Sequence, residues 1–214
     1  MEPLLWEAFL VLNITPGVIV DSGANDGRTT VMLAQQFPAH TIWSIEPIEV
    51  NVNYIHARVR EENCSNVRII HGGLGNGLNF SSYPSALNIP RIRKKKELGP
   101  QTGRIDNYRD QRYQEEQTLY PVYTIDQLMP HQRLALAHID VEGYEIDVLE
   151  GAKRTLQRDR PPISVETFPK TNPTRHRQLM SLLSDINYDC KTIRELCGYP
   201  YDCRNMLCTP KRKS

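Results

Sequence analysis

The sequence predicts an α/β fold, with a mostly parallel sheet and helices on both of its faces. Short β-branched runs alternate with helical patterns, which is typical of parallel strands joined by crossover helices. The length of 214 residues is that of one domain. Hydrophobic residues make up 39% of the chain and charged residues 24%, which are average values for a globular protein. We therefore predict a single domain over residues 1–214.

The strands and helices are predicted from local patterns. Buried-strand runs occur at Val18–Val20, Thr41–Ile45, Val67–Ile70, Leu134–Ile139 and Ile163–Val165. Two later runs, Tyr188–Ile193 and Arg204–Thr209, are expected to form a final hairpin. Helical patterns fill the connections at 28–37, 48–60, 146–156 and 179–186.

A charged loop insert is predicted at about residues 79–120, where the alternation of strands and helices is interrupted. It contains the basic segment Arg91–Lys96 and many Gly, Pro, Asn and Gln residues. Loops of this length are typically functional lids or solvated segments, and both interpretations stay open. A nucleic-acid surface is less favoured, because acidic residues such as Asp106 and Glu115 dilute the basic segment.

Charge and hydropathy argue against a nucleic acid or a membrane as the partner. Lys and Arg number 26 against 25 for Asp and Glu, whereas dedicated nucleic-acid binders carry a large basic excess. No run of 18 apolar residues occurs, so we expect no membrane partner. The five cysteines include no C-x-x-C pair of the kind that zinc sites use. We expect reduced structural thiols, with a C-terminal disulfide as the alternative, and hence a cytoplasmic location.

The segment Asp21–Gly27 connects a predicted strand to a predicted helix. Its spacing is D-x-G-x-x-x-G rather than the G-x-G-x-x-G of dinucleotide-binding loops. Open parallel sheets bind ligands beyond the carboxyl ends of their strands, which places this segment at a binding crevice. Because Asp21 and Asp26 would repel a pyrophosphate, the segment favours a ligand with a cationic ammonium or sulfonium group. A plain glycine turn stays the alternative.

Glu46 ends the second predicted strand, 25 residues after Asp21. In dinucleotide-binding folds, a carboxylate about 20 residues beyond the glycine loop hydrogen-bonds the ribose. Glu46 therefore indicates a nucleoside-bearing ligand, either S-adenosylmethionine or NAD. The alternative is a residue that only starts the next helix.

Carboxylates also follow the fourth and fifth predicted strands. The segment Ile139–Glu145 reads I-D-V-E-G-Y-E, and Glu166 ends the fifth strand. Acids in the first turn of a helix interact favourably with its dipole, which explains Glu142 and Glu145 without a function. Asp140 closes an otherwise apolar strand at the crevice, so we expect a ligand-binding or catalytic role for it, and Glu166 occupies the analogous edge.

Other catalytic signatures are missing from the sequence. It has no G-x-S-x-G, H-E-x-x-H or P-loop segment, so hydrolase and kinase functions lack their residues. His138 lies two residues before Asp140 and is best explained as a hydrogen-bonded core histidine. The segment His71–Gly75 offers bare glycine backbone against which a flat adenine ring could lie.

Together these segments resemble the FkbM family of S-adenosylmethionine-dependent methyltransferases. The resemblance rests on residues 20–27 (V-D-S-G-A-N-D-G), Glu46 with Pro47, 66–75, 124–128 (T-I-D-Q-L), 139–145, Glu166 and 205–210. These segments come in the family's order and cover most of residues 16–210. The resemblance implies a Rossmann-like class I methyltransferase fold, with a seven-stranded sheet whose last strand is antiparallel. It also implies methylation of hydroxyl oxygens, often on sugars or other natural products.

The resemblance further implies positions for the cofactor and for catalysis. The cofactor-binding residues would be Asp21, Gly23, Asn25, Gly27, Thr29, Glu46, Pro47, Gly73, Leu74 and Asp140. The catalytic residues would be Asp140, Glu142 and Glu166. Family members commonly have Lys where His138 stands, and the basic insert is not a family hallmark.

For the reaction, we expect in-line methyl transfer to a hydroxyl of a sugar, a glycan or a small molecule. Asp140 would accept the hydroxyl proton, or bind Mg²⁺ or Mn²⁺ that acidifies the hydroxyl, with Glu142 or Glu166 as its partner. The alternatives are an RNA methyltransferase that uses Arg91–Lys96, an NAD-dependent oxidoreductase, and a binding module without catalysis.

Overall fold

The structure is a computed structural model that describes residues 3–77, 79–84, 91–92, 98–99, 117–194 and 203–211. Its strands are β1 (Val18–Ser22), β2 (Thr41–Glu46), β3 (Val67–His71), β4 (Gly73–Leu74), β5 (Asn79–Pro84), β6 (Arg91–Ile92), β7 (Leu98–Gly99), β8 (Gln117–Tyr123), β9 (Leu134–Ile139), β10 (Ile163–Thr167), β11 (Tyr188–Thr192) and β12 (Arg204–Pro210). Its helices are α1 (Pro3–Leu10), α2 (Arg28–Gln36), α3 (Glu49–Glu61), α4 (Ile125–Leu128), α5 (Glu145–Glu150), α6 (Lys153–Asp159) and α7 (Pro173–Asp185).

The main sheet has seven strands in the order β11-β12-β10-β9-β1-β2-β3. The pairs β1–β2, β2–β3, β1–β9 and β9–β10 are parallel, and β12 is antiparallel to both of its neighbours. The predicted fold class, a Rossmann-like and mostly parallel sheet with helices, is therefore confirmed. The strand order reverses between β1 and β9, which is the kind of switch point where open α/β sheets bind ligands.

The hydrophobic core lies on both faces of this sheet, because neighbouring residues of a strand point to opposite sides. Val18 and Val20 of β1 join the cluster that includes residues of α5, α6 and α7, whereas Ile19 joins the cluster with α1 and α2. Strands that are buried on both faces read as continuous apolar runs. This is why the runs in the sequence predict these strands correctly.

Helix α1 is an element that the sequence analysis did not assign. Leu5 and Phe9 lie four residues apart, on one face of the helix, and both are buried against the sheet. The helix is only eight residues long, so its stability comes from this packing rather than from its length. Among the described helices, none combines the length and the apolar character needed to cross a bilayer.

The helical pattern at 146–156 forms two helices, α5 and α6, rather than one. The carboxylate of Asp126 accepts the backbone N–H of Thr155 at 2.8 Å and that of Arg154 at 3.1 Å. These are the N–H groups at the beginning of α6, which have no partner inside the helix. A side chain from another helix therefore caps α6 and separates it from α5.

Both ends of the predicted insert are strands rather than loop. Strand β5 pairs antiparallel with β8, and β8 also pairs with β4, so the three form a second, small sheet. The rings of Tyr83 and Tyr120 anchor this sheet, since both are buried and their centroids lie 5.8 Å apart. The loop prediction is therefore wrong at 79–84 and 117–120, because these residues pair with one another as antiparallel strands. The basic residues 93–96 lie outside the described residues.

The thiols differ from the expectation. A disulfide joins Cys190 of β11 to Cys208 of β12, which are register partners. Cys203 is also disulfide-bonded, whereas Cys64 is a free, half-buried thiol and Cys197 lies outside the described residues. The expectation of reduced thiols is therefore wrong for Cys190, Cys203 and Cys208, because pairing depends on proximity in the fold and not on spacing in the sequence. The prediction of a reducing compartment was based on reduced thiols, so these disulfides remove its support.

Candidate active site

A cleft with a volume of about 330 Å³ lies beyond the carboxyl ends of β1, β2 and β9, and its other wall includes β4, β5 and β8. The predicted site residues that line it are Gly23, Asn25, Glu46, Pro47, Gly73, Leu74, Asp140 and Glu142. Those that do not line it are Asp21, Gly27, Thr29 and Glu166. The structure therefore gathers most of the predicted positions around one cavity of a size that binds small molecules.

Gly23 begins the turn between β1 and α2 in the left-handed conformation, with a φ of 78°. A side chain at this position would clash with the carbonyl oxygen of Asp140, so only glycine lets the two turns touch. The N–H groups of Gly23 and Ala24 donate to the carbonyl of Ile45 at 3.0 and 3.1 Å, and that of Gly27 donates to Ala24 at 2.8 Å. These groups are not presented to a ligand, in contrast with the N–H groups that bind a pyrophosphate at a helix N-terminus.

Glu46 connects this turn to the beginning of α3 through hydrogen bonds. Its Oε2 accepts the N–H of Asn25 at 2.9 Å, and its Oε1 accepts the N–H of Ile48 at 3.0 Å and Nδ2 of Asn51 at 3.2 Å. Burial raises the pKa of Glu46 to about 7; the hydrogen bonds oppose the rise and the charge of Asp21 adds to it. A carboxylate offers about four lone-pair sites, so Glu46 can still accept a hydroxyl from the cleft.

Asp21 lies beneath the turn rather than in the cleft. Its Oδ2 accepts a hydrogen bond from the Thr30 hydroxyl, which lies 2.8 Å from Oγ of Ser44. Burial raises the pKa of Asp21 to about 7, with the Thr30 hydrogen bond opposing the rise and the charge of Asp26 adding to it. Its position is that of a residue that supports the turn from below.

The glycines after β3 make room for β8. A Cβ at Gly73 would lie 2.9 Å from Cε2 of Tyr120, and one at Gly75 would lie 2.9 Å from Cγ1 of Val122. The segment therefore needs glycine for close packing, which the sequence analysis did not foresee. Gly73, Leu74 and Gly75 also line the cleft, where the adenine is predicted to lie.

The turn after β9 brings carboxylates to the cleft. The N–H of Asp140 donates to the carbonyl of Ser22 at 3.0 Å, which continues the pairing of β9 with β1. Glu142 has a φ of 53°, a conformation that is uncommon for residues other than Gly, Asn and Asp. The carboxylate of Glu145 is buried and accepts the N–H of Gly143 at 2.6 Å. Asp140 and Glu142 line the cleft, whereas Glu145 stabilises the turn through its hydrogen bond with Gly143.

Glu166 is buried at the end of β10 and lines a smaller cavity. Burial and then the charges of Asp140, Glu142 and Glu145 raise the pKa of Glu166 far above its usual range, and Asp140 is near enough for a side-chain hydrogen bond. Its Oε1 lies 2.8 Å from Sγ of Cys203. Its surroundings therefore favour the protonated form of Glu166, which can donate a hydrogen bond to Asp140.

The predicted divalent metal does not fit the described residues. They contain no group of three or more His, Cys, Asp or Glu side chains that could hold a metal ion. Asp140 and Glu142 line the cleft, whereas Glu166 lines the smaller cavity. We therefore derive no step through Mg²⁺ or Mn²⁺.

His138 is a core residue, as the sequence analysis favoured. Its ring packs edge-on against Phe9 of α1, with 6.0 Å between the centroids. Burial lowers the pKa of His138 to about 4, so the ring is neutral. Its Nδ1 has no hydrogen-bond partner within the described ranges, so the predicted hydrogen bond is not found at that nitrogen.

Several residues that line the cleft were not predicted as site residues from the sequence. Most of them come after β4 or after β9 along the chain. They include Asn76, Asn79, Phe80, Tyr144 and Asp147. Nδ2 of Asn76 donates to Oδ1 of Asp147 at 3.0 Å, which links the two groups. The signal that could have found β8 is the alternation in T-L-Y-P-V-Y at 118–123, but Pro121 argues against a central strand.

Comparisons with known proteins agree with the sequence resemblance. A family model of the methyltransferase FkbM domain matches residues 21–199. No curated protein matches the sequence. Among solved structures, the methyltransferase FkbM from Methylobacillus flagellatus KT matches with a TM-score of 0.62 and 17% identity, over 92% of this chain and 45% of that one. The chain therefore spans less than half of that protein.

Two further structures match over nearly their full lengths. An rRNA methylase from Streptococcus thermophilus has a TM-score of 0.54 and 11% identity, over 99% of this chain and 98% of that one. A candidate methyltransferase from Streptococcus mutans in complex with SAH has a TM-score of 0.53 and 13% identity, over 98% and 97%. At such identities the similarity shows the fold alone. Because the family model matches most of the sequence, the chain belongs to the FkbM methyltransferase family.

Proposed function

We propose that the chain is an S-adenosylmethionine-dependent O-methyltransferase that acts on a hydroxyl of a sugar, a glycan or a small natural product. The observation that carries the proposal is the placement of Glu46 and Asp140 on one cleft, with Glu46 fixed to the turn at Asn25. One carboxylate can bind the ribose hydroxyls, and the second can face a cationic or reacting group. This arrangement suits S-adenosylmethionine, which is a nucleoside with a sulfonium group. A protein of similar fold was solved with SAH bound.

The described residues fit this cofactor. Glu46 would accept the ribose hydroxyls, and the backbone at Gly73 and Leu74 would border the adenine. Oδ1 of Asn25 is buried and has no hydrogen-bond partner in the described residues, so it can accept from the ammonium of the methionine part. When bound, S-adenosylmethionine supplies an electrophilic methyl group on a sulfonium.

Asp140 is the proposed base. It is half-buried at the carboxyl end of β9 and lines the cleft. A hydroxyl loses its proton as its oxygen is methylated, and a positioned carboxylate that accepts this proton contributes about 10²–10⁴-fold. Glu166, which is neutral, donates a hydrogen bond that orients Asp140, and Glu142 binds hydroxyls of the acceptor.

The alternatives receive less support. For an NAD-dependent oxidoreductase, the turn N–H groups of Gly23 and Ala24 are already bonded to protein. For an RNA methyltransferase, no cleft residue in the described ranges is Lys, Arg or His. A cytoplasmic location is not part of the proposal, because the Cys190–Cys208 disulfide is typical of an oxidising compartment.

Calorimetric titration with S-adenosylhomocysteine tests the proposal, with NADH as the comparison ligand. We expect binding in the micromolar range for S-adenosylhomocysteine and none for NADH. Glu46→Gln should weaken binding by about tenfold or more, since it alters hydrogen bonds to a carboxylate. Glu61→Gln, an exposed change at the end of α3 and outside the cleft, is the control and should change nothing. Wild-type protein that binds no S-adenosylhomocysteine would contradict the proposal.

A further inference from the structure

The turn after β9, which carries Asp140 and Glu142, has a backbone conformation that depends on its surroundings. Glu142 has a φ of 53° and Gly143 a φ of 105°, so two consecutive residues lie outside the ordinary helical and extended regions. Backbone of this kind persists only where surrounding contacts hold it in place. At the end of the turn, the N–H of the buried Gly143 donates to Oε1 of Glu145 at 2.6 Å. The conformation of the turn therefore depends on the position of the Glu145 carboxylate.

The carboxylate of Glu145 is in turn paired with a residue of another helix. Glu145 is buried, and a buried carboxylate needs a cation or hydrogen-bond donors beside it. Nε of Arg175, on α7, lies 3.9 Å from Oε2 of Glu145. Nη2 of the same guanidinium donates to Oδ2 of Asp147 at 3.3 Å. Arg175 therefore lies between two carboxylates in the first turn of α5, the helix that begins directly after the turn.

Arg175 itself is on a firmly packed helix. Oδ1 of Asn172 accepts the N–H of Arg175 at 3.2 Å and caps the beginning of α7. Leu179 and Leu183, four and eight residues further along, are buried in the core cluster of the main sheet. Residues four apart lie on the same face of a helix, so the face that carries Arg175 is packed against the core. The guanidinium is therefore held in one place relative to the sheet.

A small cavity lies beside this ion pair. Nε of Arg175 is buried and has no hydrogen-bond partner among the described residues, because 3.9 Å is too long for a direct hydrogen bond to Glu145. Both residues line a cavity of about 20 Å³, which is room for about one water molecule. A water molecule there would accept from Nε and donate to the carboxylate, and would so connect the two side chains.

The same guanidinium is connected to the cofactor side of the cleft. Oδ1 of Asp147 accepts a hydrogen bond from Nδ2 of Asn76 at 3.0 Å, and both residues line the cleft. Asn76 comes after β4, on the side where the adenine is predicted to lie. The polar contacts therefore continue from this side of the cleft to the turn after β9. In order, they join Asn76, Asp147, Arg175, Glu145 and Gly143.

We propose that Arg175 is a positioning residue for the turn after β9: by pairing with both carboxylates of α5, it fixes the conformation that places Asp140 on the cleft. Arginine suits this role, because its planar guanidinium can pair with two carboxylates at once, whereas lysine carries a point charge. The inference rests on the proposed function for the role of Asp140. It adds to that function a residue outside the cleft on which Asp140 depends.

Hydrogen exchange of the Gly143 amide, measured by NMR, tests the proposal without any ligand. Arg175→Met removes the charge and keeps an unbranched side chain, so the Gly143 amide should exchange about tenfold faster or more. Arg175→Lys keeps the charge and should restore part of the protection. Arg177→Met is the control, because Arg177 is exposed on the same helix and donates to Thr174. The amides of β9 report global unfolding and should exchange as in the wild type in every variant.

Calorimetric titration with S-adenosylhomocysteine connects the turn to ligand binding. Asp140 is a predicted cofactor residue, so a loosened turn should lower the affinity. We expect Arg175→Met to bind the ligand about fivefold more weakly, and Arg175→Lys to bind within about twofold of the wild type. Arg177→Met should bind like the wild type. Rescue by lysine would show that the charge at position 175, and not only its packing, supports the site.

The outcomes separate this proposal from the proposed function. If the wild type does not bind S-adenosylhomocysteine, the proposed function fails and the role of Asp140 fails with it, whereas the exchange of Gly143 alone decides whether Arg175 holds the turn. If the ligand binds, unchanged Gly143 exchange in Arg175→Met overturns the positioning role only. Faster exchange together with wild-type affinity also overturns it, because the site would then not depend on the conformation of the turn.

Discussion

Gly23 lies directly against the backbone of Asp140, so closely that a side chain at position 23 would overlap the Asp140 carbonyl oxygen. The contact joins the turn after β1, which holds predicted cofactor residues, to the turn after β9, which holds the proposed base. The left-handed φ of Gly23 adds a second requirement for glycine. The distance between the two halves of the proposed site is therefore set by one residue without a side chain.

Gly23→Ala should destabilise the protein and abolish binding of S-adenosylhomocysteine. The change forces a strained φ and an overlap with backbone, which together cost about 3 kcal/mol of unfolding free energy. Denaturant unfolding and calorimetric titration measure the two effects. Gly77→Ala is the matched control, because a Cβ at Gly77 meets nothing within 4 Å. Normal stability and binding in Gly23→Ala would contradict the close contact.

Asp21→Asn should stabilise the protein above neutral pH. The pKa of Asp21 is raised from 3.8 to about 7 in the folded state, so the folded protein binds this proton more tightly than the unfolded chain. The contribution of Asp21 to the free energy of unfolding therefore falls as the pH rises from about 4 to about 7. We expect the variant to gain about 2–4 kcal/mol at pH 8 and little at pH 4. Unfolding in denaturant across pH measures this, with the exposed Asp185→Asn as control. A gain that does not vary with pH would refute the assignment.

Asp140→Asn should lose turnover while it keeps its affinity for S-adenosylhomocysteine. An amide cannot accept the hydroxyl proton, so we expect a rate about 10²–10⁴-fold lower with any hydroxyl acceptor that the wild type methylates. Release of S-adenosylhomocysteine and calorimetric titration give the rate and the affinity. Full turnover with normal binding would remove Asp140 from the role of base.

Glu166→Gln should retain most of the turnover, in contrast with Asp140→Asn. Because burial and the neighbouring carboxylates raise the pKa of Glu166 and favour its protonated form, an amide of the same size should replace it as a hydrogen-bond donor to Asp140. Glu166→Ala removes the donor and should lower turnover, with a change in the pH profile of the rate. If Glu166→Gln is as inactive as Asp140→Asn, Glu166 acts as a charged carboxylate and our interpretation is wrong.

The double change Cys190→Ser and Cys208→Ser should lower the free energy of unfolding by about 3 kcal/mol. The disulfide closes a segment with a sequence separation of 18 residues and fixes β11 to β12. Cys64→Ser is the control, because Cys64 is a free thiol, and it should cost about 0.5 kcal/mol or less. Equal stability of the two variants in denaturant would show that the cross-link contributes nothing.

The sequence predicts the main sheet well because buried parallel strands leave a strong local signal, as at Leu134–Ile139. It does not reveal the β5–β8 pair, in which Asn79 meets Val122 across a long stretch of chain. For the site, the spacing of Glu46 indicates its place on the cleft. Nothing in the spacing shows that the carboxylate of Asp21 points beneath the turn, since that depends on the helix packed under it.

Strand β12 lies between β10 and β11, although it follows both of them along the chain. During synthesis, β10 and Glu166 at its end leave the ribosome well before the strand that covers them. The edge of β10 has no strand to pair with on that side until residues 204–210 are available. A nascent chain halted before β12 therefore carries an exposed strand edge, which is a template for aggregation. The acidic side of the proposed site is completed late in biosynthesis.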